Sequence, residues 1–128
     1  MTNVHALIID DNPYNLEVLE HLLTSLGNSV TTLQDPMKLE DVVTKPEQID
    51  IVFLDLEMPK RDGYQMLHIL RDDLGLSIPV VAYTVHTSEM DEARALGFDG
   101  FLGKPLDPRR FADQLSRLLA GQSVWEIP

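Results

Sequence analysis

The sequence predicts a doubly wound α/β sandwich, in which one parallel sheet is covered by helices on both faces. Apolar runs and helical segments alternate five times along the chain, as strand and helix units with right-handed crossovers do. The runs "IVFLD" and "VVAYT" are almost continuously apolar, which is typical of parallel strands buried on both faces. The length of 128 residues suits one domain with a real core.

The sequence predicts five strands, and the first of them is followed by a clearly marked helix. The five candidate strands lie in "VHALIID", "SVTTLQ", "DIVFLD", "IPVVAYT" and "GFLGK". The first helix is predicted from Asn12 or Pro13 to about Leu26, because leucines recur there at three- and four-residue steps. Pro13 suits the first helical position, and Gly27 stands where a helix commonly ends in a left-handed residue.

The other four helices are predicted from spacing and capping residues. A weaker second helix lies within "DPMKLEDVVTK" and is ended by Pro46, and the third begins near Gly63. The fourth, "SEMDEARALG", stops at Gly97. The fifth opens with an N-cap at Asp107 and runs to Gly121.

Composition and charge exclude several classes of function. The chain has no cysteine, so disulfides, thiolate metal sites and cysteine nucleophiles are excluded. A net charge of -11 argues against direct binding to nucleic acid. No apolar run approaches the roughly 18 residues of a membrane span, and the first residues lack the features of a signal peptide. We therefore expect a cytoplasmic protein with no membrane contact.

Polar residues follow the strands at the edge where doubly wound sheets bind ligands. Asp10 and Asp11 end the first strand, Asp55 ends the third, Thr84 ends the fourth and Lys104 ends the fifth. Two carboxylates about 4 Å apart repel by about 4 kcal/mol at an effective dielectric of about 20, so a nearby cation is expected. Convergent carboxylates without cysteine suit a hard divalent cation such as Mg²⁺.

Each of these residues also has a structural explanation when it is taken alone. The segment "DDNP" suits a helix N-cap, and Asp55 suits a turn after a strand. Thr84 suits a turn or cap hydroxyl, and Lys104 suits a surface turn before a proline. Their shared position at adjacent strand ends favours one common site.

With these residues in place, the chain resembles the receiver domain of bacterial two-component response regulators, the CheY-like type. The matching segments are "IIDDN", "VFLDLEMPKRDGYQ", "VVAYT" and "GFLGKP", and the resemblance covers essentially the whole chain. It implies a flavodoxin-like (βα)5 fold with the sheet order 2-1-3-4-5. It also implies a stand-alone, phosphorylation-activated switch that is no enzyme beyond its own phosphoryl transfer and autodephosphorylation.

The resemblance implies a role for each residue of the site. Asp55 is the expected phosphoacceptor, which takes a phosphoryl group from a phosphohistidine to form an acyl phosphate. Asp11 is expected to bind Mg²⁺ or Mn²⁺ directly and Asp10 through water, while Asp55 and the backbone carbonyl of Glu57 complete the protein ligands. Lys104 is expected to neutralise phosphoryl oxygens together with the metal.

The resemblance also implies a switch. Thr84 is expected to donate to a phosphoryl oxygen, and Phe101 to turn inward into the space that Thr84 leaves. This movement would change the surface of helix four, strand five and helix five for partner docking. The alternative for Phe101 is an ordinary core aromatic. The family also carries a cis peptide at the position of Lys104 and Pro105.

Three positions depart from the commonest pattern of the family. Val85 replaces a small residue and is expected to crowd the phosphoryl site, while Glu57 and His86 stand where relatives tune autodephosphorylation. A carboxylate at Glu57 could place water or only add charge, and a solvated loop histidine is the alternative for His86. These differences affect the expected lifetime of the phosphoryl group, not its site.

The domain is predicted to cover residues 1–121, with a C-terminal tail at residues 122–128. The single tryptophan, Trp125, lies in this tail and could pack locally or anchor a partner or a second copy of the chain. The expected partners are a sensor histidine kinase or histidine phosphotransfer protein and a downstream target protein, and a homodimer is possible.

Two other functions remain open at the level of the sequence. A degenerate receiver would bind partners without accepting phosphate. A Mg-dependent phosphatase of the haloacid dehalogenase type also has an aspartyl nucleophile after a buried strand, and "FLDLE" resembles its Asp-x-Asp motif. Against the phosphatase, the second acid here is Glu57, the nucleophile of that family normally ends the first strand, and a cap domain does not fit in 128 residues.

Overall fold

The structure, a computed structural model, describes residues 4–127 and contains one sheet of six parallel strands. The strands are β1 (His5–Ile9), β2 (Ser29–Leu33), β3 (Ile51–Leu54), β4 (Val80–Thr84), β5 (Gly100–Gly103) and β6 (Val124–Glu126). Their order across the sheet is β2-β1-β3-β4-β5-β6. The predicted order of the first five strands is confirmed, and the direction of winding reverses between β1 and β3.

Five helices connect the strands. They are α1 (Pro13–Ser25), α2 (Leu39–Val42), α3 (Gly63–His68), α4 (Met90–Ala95) and α5 (Pro108–Leu119). Short 3-10 turns precede α2 and α4, and a π-helical turn at Ile69–Asp73 continues α3. The expected alternation of strands and helices is therefore present.

The caps predicted for α1 and α5 are confirmed. The side chain of Asn12 accepts a hydrogen bond from the amide of Tyr14 at 2.9 Å, and that of Asp107 caps α5 in the same way. Gly27 and Gly121 follow the two helices with φ angles of 90° and 86°, in the left-handed region that favours glycine. The predicted ends of both helices are correct to within about two residues.

The second helix is shorter than its segment predicts. Its α-helical part ends at Val42, and Pro46 does not end it but begins a separate 3-10 turn at Pro46–Gln48. Residues 42–44 are the β-branched run Val-Val-Thr, which loses side-chain freedom in a helix. The chain therefore leaves the helix before the proline can act on it.

The core has two layers, one on each face of the sheet. Leucines of α1 and α5 pack with Phe53, Phe111 and Tyr83 on one face. Residues of α2, α3 and α4 pack on the other face, where Phe101 lies. Among residues 4–127 no helix has the length and apolar character needed to cross a bilayer.

The tail forms a strand that the sequence pattern did not reveal. β6 pairs in parallel with β5, and Trp125 lies in register with Phe101. The side chain of Val124 is buried, and the Arg94 guanidinium of α4 lies 4.5 Å from the Trp125 ring centroid. A Cβ atom on Gly100 would lie 3.0 Å from the carbonyl oxygen of Val124. The tail therefore packs on its own domain, which agrees with local packing, the first of the two alternatives given for Trp125.

Glu126 attaches the end of the tail to α5. Its carboxylate forms ion pairs with Arg110 and with Arg117, the second at 2.8 Å, and accepts a hydrogen bond from the amide of Gln114 at 2.9 Å. The tail therefore contacts α4 through Trp125, pairs with β5 through its backbone and binds α5 through Glu126.

Candidate functional site

An acidic cluster lies at the carboxyl ends of the two central strands. Asp10 follows β1 and Asp55 follows β3, and these strands pair so that Ile9 is opposite Leu54. Carboxylate oxygens of Asp10, Asp11 and Asp55 all lie within 4.8 Å of one another. Asp10 and Asp55 are buried, and Asp11 is closer to solvent. The strand ends therefore bring together the three acids that the sequence predicts at one site.

Lys104 supplies the ammonium group of this cluster. Its Nζ atom lies 2.8 Å from Oδ2 of Asp10 and 3.8 Å from Oδ2 of Asp55, so in this structure the lysine is bonded to Asp10. The backbone amide of Lys104 donates to the carbonyl of Thr84 at 2.9 Å, and the peptide bond to Pro105 is cis, as the resemblance implies. One ammonium group faces three carboxylates, which leaves net negative charge at the site.

Tyr83 is a residue of the site that the sequence analysis missed. Its hydroxyl donates to Oδ2 of Asp10 at 2.9 Å, and its ring centroid lies 4.4 Å from Nζ of Lys104. The side chain is fully buried in the core layer under α1 and α5. The available signal was a tyrosine inside an otherwise aliphatic strand, because a buried phenol hydroxyl needs a hydrogen-bond partner.

Burial and repulsion perturb the acid that ends β3. The pKa of Asp55 is raised to about 7: burial is the main cause, Lys104 opposes it, and the negative charge of Asp10 adds to it. The backbone amide of Glu57 donates to Oδ1 of Asp55 at 3.3 Å and favours the charged form. Burial and the neighbouring Asp10 also raise the pKa of the Tyr83 hydroxyl, so this hydroxyl remains a donor.

The donor set fits a hard divalent cation. The three acids offer carboxylate oxygens, the ligands that Mg²⁺ and Mn²⁺ prefer, and a surface pocket that Asp11 lines leaves room for the waters that Mg²⁺ retains. A cation there would also relieve the repulsion that raises the pKa of Asp55.

The structure places the expected switch residues on β4 and β5. Thr84 is buried at the end of β4, and its Oγ1 atom accepts a hydrogen bond from the amide of His86 at 3.1 Å. Phe101 is fully buried in β5, packed in the core layer of α2, α3 and α4. In this structure the aromatic ring therefore already points inward.

The three positions that depart from the family pattern lie next to the site in the chain, two residues after Asp55 and just after Thr84. The side chain of Val85 is 64% exposed and lines a groove beside Lys104, and its crowding of a phosphoryl group stays a prediction. Nε2 of His86 lies 3.9 Å from Oε1 of Glu57, and Glu89 joins them in a second group of candidate ligand atoms within 4.8 Å. Tyr64 donates to Glu89 at 3.0 Å. Glu57 and His86 are thus neighbours, which the sequence did not show.

A groove of about 310 Å³ adjoins the cluster between α1 and the segment after β5. Its walls are mainly apolar and include the exposed residues Tyr14, Val18 and Val85. Lys104 and Tyr83, which both donate to Asp10, also line it. The groove therefore connects an apolar surface with the charged site.

Comparisons with known proteins agree with this geometry. The family model described as the response regulator receiver domain matches residues 6–116. The osmosensing histidine protein kinase SLN1 of Saccharomyces cerevisiae is 34% identical over 112 residues, which is 82% of this chain and 9% of the kinase. The sensor histidine kinase RcsC of Escherichia coli is 37% identical over 102 residues, which is 78% of this chain and 10% of that protein.

Solved structures show the same fold. The chemotaxis response regulator CheY4 of Vibrio cholerae is similar with a TM-score of 0.79 and 26% sequence identity, over 91% of this chain and 99% of that chain. By contrast, this chain spans only about a tenth of the length of the two curated kinases.

Proposed function

Because the chain belongs to the response regulator receiver domain family, we propose that it is a phosphorylation-controlled switch of two-component signalling in which Asp55 accepts the phosphoryl group. The observation that supports this most directly is the position of Asp55. It is a buried carboxylate at the end of a central strand, next to two other acids and one lysine.

The proposed reaction is the transfer of a phosphoryl group from the phosphohistidine of a partner protein. A carboxylate oxygen of Asp55 attacks phosphorus, the phosphorus–nitrogen bond breaks, and the imidazole leaves with the electron pair of that bond. The product is an acyl phosphate on Asp55. The pKa of about 7 means that the nucleophile is more fully ionised when a cation is close to it.

We propose that Asp11, Asp10, Asp55 and the backbone carbonyl of Glu57 hold Mg²⁺ or Mn²⁺. When bound, the cation would neutralise negative charge on the transferring phosphoryl oxygens. Lys104, which follows β5, would neutralise a further oxygen. Its 3.8 Å distance to Oδ2 of Asp55 is short enough for this role after a small movement.

We propose that the phosphoryl group shifts an equilibrium between two arrangements of β4 and β5. Thr84 would exchange its bond with the His86 amide for a bond to a phosphoryl oxygen, and Phe101 would respond. The affected surface comprises α4, β5 and α5. The tail lies on this surface, because Trp125 is in register with Phe101 and Glu126 binds α5.

The proposed phosphodonor is a sensor histidine kinase or a histidine phosphotransfer protein, and a downstream target would bind the switched surface. The two curated relatives are named histidine kinases, which supports a partner of this class. We propose that the donor docks at the apolar groove beside Lys104, because its phosphohistidine must reach Asp55. A cytoplasmic location agrees with this chemistry.

A titration with beryllofluoride, a phosphoryl mimic, tests the proposal. In the presence of Mg²⁺ we expect saturable changes in Trp125 fluorescence and in the amide shifts of Thr84 and Phe101. The variant Asp55→Asn is the control and should show none of them.

The outcome also separates this proposal from its two rivals. No response in the folded wild type would contradict the proposal and leave a domain that only binds partners. Transfer of labelled phosphate to Asp55 without turnover of general phosphoesters would exclude a phosphatase of the haloacid dehalogenase type.

A further inference from the structure

Asp10 is the most completely bonded acid of the site. It is fully buried, and its Oδ1 atom accepts a hydrogen bond from the backbone amide of Asn12 at 2.9 Å. Its Oδ2 atom accepts two more, from the hydroxyl of Tyr83 at 2.9 Å and from Nζ of Lys104 at 2.8 Å. The lysine and the tyrosine thus share a single carboxylate oxygen.

In this structure Lys104 is bonded to Asp10 and not to Asp55, the proposed phosphoacceptor. The ammonium group is bonded to Asp10 and lies 3.8 Å from Asp55, so it must move from the first acid to a phosphoryl oxygen on the second. Such a movement removes one donor from Oδ2 of Asp10. A buried carboxylate oxygen that loses its only donor is strongly destabilised.

Tyr83 prevents that loss, because its hydroxyl is already bonded to the same oxygen. We propose that Tyr83 is a positioning residue that keeps Asp10 satisfied while Lys104 transfers from Asp10 to the phosphoryl group on Asp55. The inference rests on the proposed function of Asp55. Tyr83 acts through Lys104 and Asp10 and does not contact the phosphoryl group.

The hydroxyl of Tyr83 is not required for packing. The ring of Tyr83 contacts Phe53 edge to face at a centroid distance of 6.5 Å, in a layer that also contains Phe111. A phenylalanine at position 83 would keep this contact and the ring beside Nζ of Lys104. The variant Tyr83→Phe therefore removes the bond to Asp10 alone.

The test compares two affinities in the same protein. In Tyr83→Phe, Lys104 is the only remaining donor to Oδ2 of Asp10, so its transfer is opposed. We expect about tenfold weaker binding of beryllofluoride at saturating Mg²⁺, since a hydrogen bond to a charged group is at stake. The affinity for Mg²⁺ alone, followed by the amide shifts of Asp11 and Glu57, should fall by a smaller factor, because Lys104 stays bonded to Asp10 when no phosphoryl mimic is present.

Tyr64→Phe is a matched control, because the Tyr64 hydroxyl also donates to a carboxylate, Glu89, but does not contact Lys104. We expect wild-type affinity for beryllofluoride in this variant. Equal beryllofluoride affinities in wild type and Tyr83→Phe would overturn the inference, as would equal losses of Mg²⁺ and beryllofluoride affinity. A wild type that does not respond at all would contradict the proposed function instead.

A second measurement uses only the wild-type protein. Selective labelling allows the Cζ shift of Tyr83 and the Nζ shift of Lys104 to be followed during the beryllofluoride titration. We expect the lysine signal to move and the tyrosine signal to stay in its hydrogen-bonded range. Loss of the tyrosine hydrogen bond on activation would refute the positioning role.

Discussion

Two clusters of charged side chains, one at the strand ends and one at the tail, differ in their ratio of acids to cations and in their burial. At the strand ends, three acids share one lysine, and Asp10 and Asp55 are buried. At the tail, one acid, Glu126, is shared by two arginines and a glutamine. Burial raises the pKa of Asp55 to about 7, whereas hydrogen bonds from Gln114 and then Arg117 lower the pKa of Glu126.

The ratio of cations to acids determines whether each cluster is stable in its ionised form. The tail cluster has two arginines for one acid, and its side chains remain in contact with solvent, so its ionised state is the stable one. The site has fewer cations than acids, and burial makes the excess charge unfavourable. The tail cluster therefore attaches the tail to α5, while the site would be stabilised by a further positive charge.

The largest expected effect comes from removing the single cation of the site. Lys104→Met leaves Asp10 and Asp55 without their ammonium partner, and we expect a loss of about 2–3 kcal/mol in unfolding free energy at pH 8. Urea unfolding with a metal chelator measures it, and the exposed Lys38→Met is the control. A loss equal to that of the control would show that solvent, not Lys104, balances the charge.

Removal of the negative charge of Asp55 should stabilise the protein when a chelator keeps the site free of metal. The folded pKa of about 7 lies above the ordinary value of 3.8, so the folded state loses stability as the pH rises from about 4 to 7. At pH 8 the full penalty applies, and Asp55→Asn should add about 1–3 kcal/mol to the unfolding free energy. At pH 5 the gain should be smaller.

Urea unfolding of Asp55→Asn at both pH values checks this expectation, with the exposed Asp41→Asn as the matched control. A gain that is the same at pH 5 and pH 8 would show that ionisation of Asp55 is not its cause.

The smallest effect is expected at the tail, with the opposite pH dependence. The lowered pKa of Glu126 contributes stability above its ordinary value of 4.5, which is lost as the pH falls through the folded pKa. Trp125 fluorescence should therefore be constant from pH 8 to pH 5 and change below 4.5. Glu126→Gln should cost less than about 1 kcal/mol.

The exposed Glu47→Gln is the control for the tail variant. A change in Trp125 fluorescence near pH 7 that persists in Glu126→Gln would mean that the tail responds to the site and not to its own acid. That result would show that the ionisation of the site and the conformation of the tail are coupled.

The sequence predicts the site better than it predicts the details of its bonding. Asp10, Asp55 and Lys104 stand at strand ends, and strand order alone brings such positions together. The attachment of Lys104 to Asp10 depends on Nζ lying 2.8 Å from Asp10 but 3.8 Å from Asp55. It also depends on the hydroxyl of Tyr83, a residue that the strand pattern does not distinguish from its apolar neighbours. Side-chain partners across 73 residues have no periodic signal.

The fold was predictable where periodicity is long and was missed where it is short. The helix α1 has a leucine repeat over several turns and two capping signals, and its bounds were correct. The strand β6 has only three residues, too few for any period. Its position is determined by Glu126, which meets arginines of α5, and by its backbone pairing with β5. Neither is visible before the sheet is assembled.

The approach of the tail to Gly100 limits how this chain can vary. A single added carbon at Gly100 would meet the Val124 carbonyl oxygen at 3.0 Å, and a backbone atom yields less easily than the end of a side chain. The same added carbon would lie 2.9 Å from a methyl group of Leu118 in α5, so the close packing of β5 against both β6 and α5 depends on a glycine at position 100. A larger side chain at Gly100 is therefore expected to displace β6 from β5, whereas a substitution on the exposed side of the tail is not.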